Sequence, residues 1–137
     1  MIEEEIKMRP RILIVDDDDA ITQQLFWTLC DEFEVLTARD LPSAVRRATV
    51  YEPQISILDL HLPPALDSPK AGLLVLDYIK GRYPESKVLI VSSDTNDETR
   101  RTCEAKGANC FLEKPFEIEN LLAAIHRIAP EAELSAF

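Results

Sequence analysis

Three stretches of this chain are almost continuously apolar: Ile12-Leu13-Ile14-Val15, Ile55-Ser56-Ile57-Leu58 and Val88-Leu89-Ile90-Val91. Such short runs, bounded by charged or turn residues, suit strands covered on both faces, the setting of a parallel sheet between layers of helices. Amphipathic segments of helical period separate them, so strand and helix alternate along the chain. That alternation constrains the fold more than any other feature, because it selects a parallel sheet wound with helices on both sides. It also fixes where a site can form, since ligands of such sheets bind outside the carboxyl ends of the strands.

The elements can be placed in order. After a polar leader, residues 1–9, residues 11–16 read as the first strand, and Asp18 or Asp19 caps a helix running to about Cys30. Ile21, Leu25 and Leu29 form its apolar stripe. Residues 34–38 are a short second strand. Asp40 caps the next helix, with Pro42 in its first turn, where a missing N–H does no harm. Val45, Ala48 and Tyr51 are its expected inner face, and Pro53 closes the exit. The third strand spans 54–59. A connection with three prolines and few expected anchors, residues 63–72, leads to an apolar helix carrying Leu73, Leu76 and Ile79, which Pro84 ends. Residues 87–92 are the fourth strand and 95–106 a helix with Gly107 at its C-terminal cap. Residues 109–113 are the fifth strand. The last helix, 117–128, aligns Ile118, Leu121, Leu122, Ile125 and Ile128. Residues 10–129 thus form one domain, and 130–137 a tail or the start of a linker.

Charge and cysteine content exclude several functions. A net charge of −10 offers no basic face for phosphates, which argues against direct nucleic-acid binding. No apolar stretch approaches the roughly 20 residues that span a bilayer, and the acidic start Met1-Ile2-Glu3-Glu4-Glu5 lacks the features of a secretory signal. Cys30, Cys103 and Cys110 have no metal-ligand spacing and read as small hydrophobes in a reducing compartment, so the expected location is cytoplasmic.

The strand tips carry the chemistry. Asp16 and Asp17 follow the first strand, Asp59 the third, Ser92 the fourth and Lys114 the fifth. An unpaired charge in such a place is costly, so acids there need partners. Three carboxylates within about 4–6 Å repel by roughly 3–4 kcal/mol per pair at an effective dielectric near 20. One lysine cannot balance them, and the oxygen-rich set calls for a hard divalent cation, Mg²⁺. A carboxylate beside that cation and an ammonium is suited to attack a phosphoryl group and become an acyl phosphate. The Ser92 hydroxyl can then meet a phosphoryl oxygen.

Ile12-Leu13-Ile14-Val15-Asp16-Asp17, Leu58-Asp59-Leu60-His61-Leu62-Pro63, Val88-Leu89-Ile90-Val91-Ser92-Ser93 and Gly107-Ala108…Phe111-Leu112-Glu113-Lys114-Pro115-Phe116, in that order, resemble the receiver domain of two-component response regulators. The resemblance covers residues 10–129. It implies a flavodoxin-like fold with sheet order 2-1-3-4-5 and five helices, and phosphotransfer from a sensor histidine kinase or phosphotransfer protein to Asp59. It further implies that Asp17, Asp59 and the backbone carbonyl of His61 ligate Mg²⁺, with Asp16 acting through water. Lys114 would pair with the phosphoryl group across a cis Lys114–Pro115 peptide, and Ser92 and Phe111 would be the switch pair. The fourth helix, fifth strand and fifth helix would be the output face and a possible homodimer contact. Such a protein is a signalling switch, whose only enzyme-like acts are its own phosphorylation and dephosphorylation.

Some features depart from the family pattern. Phe111 replaces a common tyrosine, so its ring would gain burial but no hydrogen bond. The 63–72 connection is longer than usual by about five residues, a change of small closure cost. It resembles, more weakly, receivers of sigma-54-dependent activators. It is either a tolerated surface insertion or a contact for a kinase or second copy. His61 and Asp94 lie close enough to Asp59 to affect the acyl phosphate's lifetime. The fourth helix offers little apolar surface beyond Cys103 and Ala105, which makes it a natural moving part. Two other readings are a haloacid-dehalogenase-type phosphatase and a receiver kept only as an interaction module. The former places a second Asp two residues after its nucleophile, where this chain has His61. The intact acids and lysine count against the latter.

Overall fold

The computed structural model describes residues 9–94 and 96–129; most of the leader, Thr95 and the tail from Pro130 lie outside the described residues. Its elements are β1 (Arg11–Val15), α1 (Asp19–Leu29), β2 (Glu34–Ala38), α2 (Leu41–Tyr51) and β3 (Ile55–Leu58). They are followed by α3 (Lys70–Arg82), β4 (Lys87–Ser92), α4 (Asp97–Ala105), β5 (Cys110–Glu113) and α5 (Ile118–Ile128). All strand pairs are parallel and the sheet order is β2-β1-β3-β4-β5, the flavodoxin-like arrangement expected from the sequence.

Side-chain alternation along the central strands builds two cores. Ile12, Ile14, Ile55, Ile57, Leu89 and Val91 point to one side, where Leu25 and Leu29 of α1 and Leu121 and Ile125 of α5 cover them. Leu13, Val15, Leu58, Val88 and Ile90 point to the other, against Ala44 and Ala48 of α2, Val75, Leu76 and Ile79 of α3, and Cys103 of α4. Burying each large aliphatic contributes about 1.5–3 kcal/mol, so the central strands are held from both sides.

The helix ends follow from local chemistry. Asp18, rather than Asp19, caps α1 by accepting from the amides of Ala20 and Ile21. Asp40 and Ser43 form a reciprocal capping box at α2, with Pro42 in the first turn. At the end of α4 the Gly107 amide donates to the Glu104 carbonyl and the Ala108 amide to that of Cys103. That pairing requires a left-handed residue at Gly107, whose φ is +102°.

Three expectations change. The inner face of α2 is Ala44 and Ala48, with Val45 and Tyr51 only half-buried; the two alanines, four apart, let α2 approach the sheet closely. Ala105 is exposed, which leaves Cys103 as the one buried residue of α4. The 63–72 connection is better anchored than its prolines suggest. Leu60 and Leu62 are fully buried, the Ala65 amide donates to Leu62, the Ser68 amide to Ala65, and the Pro63–Pro64 peptide is cis.

Candidate functional site

The sheet ladder carries the acids past the strand ends. The Asp16 amide donates to the Ala38 carbonyl (3.1 Å), that of Asp59 to Val15 (2.9 Å) and that of Lys114 to Ser92 (2.9 Å). Adjacent strands therefore deliver Asp16 and Asp59 side by side, with Lys114 arriving from β5. One carboxylate oxygen from each of Asp16, Asp17 and Asp59 lies within 4.8 Å of the others. Asp16 and Asp59 are buried and Asp17 half-buried. The Lys114 ammonium donates to Asp16 Oδ2 at 2.9 Å and more weakly to Asp59 Oδ2 at 3.5 Å. The Lys114–Pro115 peptide is cis.

The electrostatics match three acids sharing one cation. Burial, followed by the Asp16 charge, pushes the pKa of Asp59 up, against the opposing effects of Lys114 and the His61 amide. Burial opposes the charge on Lys114, but the hydrogen bond and charge of Asp16, joined by Asp59, raise its pKa overall. Lys114 stays an ammonium, and a set of hard oxygens remains in excess. That donor chemistry fits Mg²⁺.

The rim is ordered by hydrogen bonds. Asp16 Oδ1 accepts from the Asp18 amide (2.9 Å), so the cap of α1 also steadies the site. Asp59 Oδ1 accepts from the His61 amide at 3.2 Å. The His61 ring contacts the Leu66 carbonyl through Nδ1 (2.9 Å) and Asp94 Oδ2 through Nε2 (3.4 Å), linking the long connection to the loop after β4. Ser92 is fully buried, and its Oγ accepts from the Asp94 amide at 3.1 Å. Phe111 sits on the edge strand opposite Ile90, half-buried, with the Arg100 guanidinium 5.0 Å from its ring centroid. Asp16, Asp17, Asp59 and Lys114 thus come together, Ser92 and His61 border them, and Phe111 lies under α4. Gly72, which pattern reasoning took only as the end of the connection, packs against the backbone of Asp59 and Leu60.

The sequence profile of the response regulator receiver domain matches residues 12–126. The chain belongs to the response regulator receiver family. It is 36% identical over 117 residues to the nitrogen assimilation regulatory protein NtrX of Azorhizobium caulinodans, covering 85% of this chain and 25% of that one. It is 31% identical over 122 residues to the transcriptional regulatory protein KdpE of Staphylococcus aureus, covering 88% and 50%. The chain therefore spans a quarter to a half of these relatives. Among solved structures, the receiver domain of NtrX from Brucella abortus superposes with a TM-score of 0.75 at 35% identity, covering 85% of this chain and 96% of that one. A CheY-like receiver domain protein from Methanospirillum hungatei gives 0.79 at 25% identity, covering 87% and 92%. Receiver domains are signalling switches of two-component systems; they act as phosphoacceptors, work with histidine kinases or phosphotransfer proteins, and generally bind Mg²⁺ at an acidic pocket. No described helix is long and apolar enough to cross a membrane.

Proposed function

We propose that Asp59 is the phosphoacceptor of this receiver. The observation that carries the reading is the buried pair of carboxylates, Asp16 and Asp59, bridged by the Lys114 ammonium with Asp17 alongside. An Asp59 carboxylate oxygen attacks phosphorus of a phosphohistidine, the P–N bond breaks, and the imidazole leaves and takes up a proton. Asp59 becomes a mixed anhydride, later hydrolysed by water at phosphorus. Lys114 and the Ser92 hydroxyl stabilise the transferring oxygens. Asp17, Asp59 and the His61 backbone carbonyl would hold Mg²⁺, with Asp16 acting through water. When bound, the cation neutralises charge on the phosphoryl oxygens.

The unit spans residues 10–129, with 1–9 as leader and 130–137 as tail or linker. Phosphorylation is read at Ser92 and Phe111 and passed to the α4–β5–α5 face, which contacts an output partner or a second copy. This receiver acts as a cytoplasmic switch whose own catalysis is limited to phosphorylation and dephosphorylation of Asp59. The test is mass spectrometry after incubation with acetyl phosphate and Mg²⁺. A single phosphoryl adduct is expected on wild type and none on Asp59→Ala; an adduct that persists in the variant would refute the assignment.

A further inference from the structure

One peptide unit joins the first turn of α3 to the acceptor carboxylate. The carbonyl of Leu60 accepts from the Gly72 amide at 3.0 Å, and the N–H of the same peptide, on His61, donates to Asp59 Oδ1 at 3.2 Å. There is no room at Gly72 for any side chain. A Cβ would lie 2.3 Å from Leu60 Cα, 2.6 Å from the Leu60 oxygen and 2.8 Å from the Asp59 oxygen. All three contacts are with backbone, which cannot swing aside as the end of a flexible side chain could.

We propose that Gly72 is a positioning residue for the site: by seating α3 against the Leu60–His61 peptide it sets the direction in which Asp59 presents its carboxylate. Adding a methyl at 72 displaces or rotates that peptide, because its carbonyl oxygen is among the atoms struck. The rotation draws the His61 N–H away from Asp59 Oδ1. It also turns the next carbonyl, that of His61, which on the reading above faces the cation. The inference rests on that reading for its consequence in phosphotransfer, while the coupling of Gly72 to the His61 amide stands on geometry alone. It also explains how the long connection is accommodated. The Gly72–Leu60 bond returns the helix to the acceptor loop, so the Leu60–His61 peptide is held from the helix side whatever the connection's length.

The experiment compares wild type, Gly72→Ala and Ile79→Ala, which weakens the same helix at its buried face. Phosphorylation by acetyl phosphate is normalised to the folded fraction, and Mg²⁺ affinity and the His61 amide proton shift are measured alongside. Gly72→Ala is expected to lose at least tenfold in normalised rate, to bind Mg²⁺ more weakly and to move the His61 amide. Ile79→Ala should keep the wild-type normalised rate. A wild-type rate and Mg²⁺ affinity in Gly72→Ala would overturn the proposal, as would an equal loss in Ile79→Ala.

Should Gly72→Ala fail to fold, wild type carries the test through amide exchange with and without Mg²⁺. The Gly72 and His61 amides should gain protection together, and a His61 response that leaves Gly72 unchanged would overturn the coupling. Wild type that takes no phosphoryl group would instead count against Asp59 as acceptor, while the Mg²⁺ and amide measurements would still decide the role of Gly72.

Discussion

At the scale of single residues, two positions separate what stabilises this chain from what merely occurs in it. Asp40 caps α2 and accepts from both the hydroxyl and the amide of Ser43, which hold its carboxyl below the usual range. A lowered folded-state pKa stabilises fully above the unfolded value, and the contribution is lost as pH falls through the folded value. Asp40→Ala should therefore cost about 1 kcal/mol near neutrality. In urea titrations that gap should narrow below about pH 4, where the unfolded carboxyl also protonates; a gap constant down to pH 2 would contradict the ionic share of the cap. Ser56 is the opposite case. It is fully buried mid-strand on β3, and its hydroxyl has no hydrogen-bond partner among the described residues. An unmet buried hydroxyl costs about 1–3 kcal/mol, offset in part by the small void its removal leaves. Ser56→Ala is expected to raise stability by about 1 kcal/mol, seen as a higher urea midpoint at unchanged slope. A lower midpoint would mean that the oxygen is satisfied after all.

At the scale of elements, α4 stands apart. Its nine residues bury one side chain, Cys103, whose thiol burial pushes up in pKa. The β5 edge strand beside it is paired to β4 along its whole length, so the helix can open while the sheet stays intact. Cys103 is therefore a built-in reporter. Alkylation under native conditions should be slow, because it needs the helix to lift and the thiol to ionise. It should still outpace labelling of a cysteine placed at Ile57 of β3, and beryllofluoride should change its rate if α4 reads Asp59. Equal rates at the two positions would place α4 in the global unfolding unit.

The same scale shows why some elements were legible in sequence and others not. β1, β3 and β4 announce themselves because strands covered on both faces are apolar along their interiors, with Ser56 of β3 the exception. In α2, periodicity places Ala48 correctly on the inner face but favours Val45 over Ala44, because it weighs hydrophobicity, whereas close helix–sheet approach selects small side chains. The connection after Pro63 read as loosely anchored because its ties are backbone bonds within it and two leucines before it, Leu60 and Leu62, which continue the alternation of β3 past the strand's end. The acids and Lys114 were legible from their places at strand tips. Gly72 was not: its role comes from a contact between residues twelve apart, and the only linear sign is a glycine where a helix starts.

For the molecule as a whole, the site works against the fold that builds it. The sheet brings Asp16, Asp17 and Asp59 to one end of a chain already at −10, with Lys114 as the only cation bonded to them among the described residues. The repulsion of Asp17 is screened because that side chain is half-exposed, so its removal should relieve only about 1 kcal/mol. Asp17→Asn is accordingly expected to be more stable than wild type in the presence of a chelator. Mg²⁺ should reverse the order: a ligand that binds only the folded state adds about 2.7 kcal/mol at one hundred times its dissociation constant, and the variant forfeits most of that gain. Thermal unfolding of both proteins across a Mg²⁺ titration checks the crossing. The same gain in wild type and Asp17→Asn would show that the cation binds elsewhere. A variant already less stable in chelator would show that Asp17 is structural. The crossing itself would mean that the three acids are kept at the cost of stability for the ion and the phosphoryl group they receive.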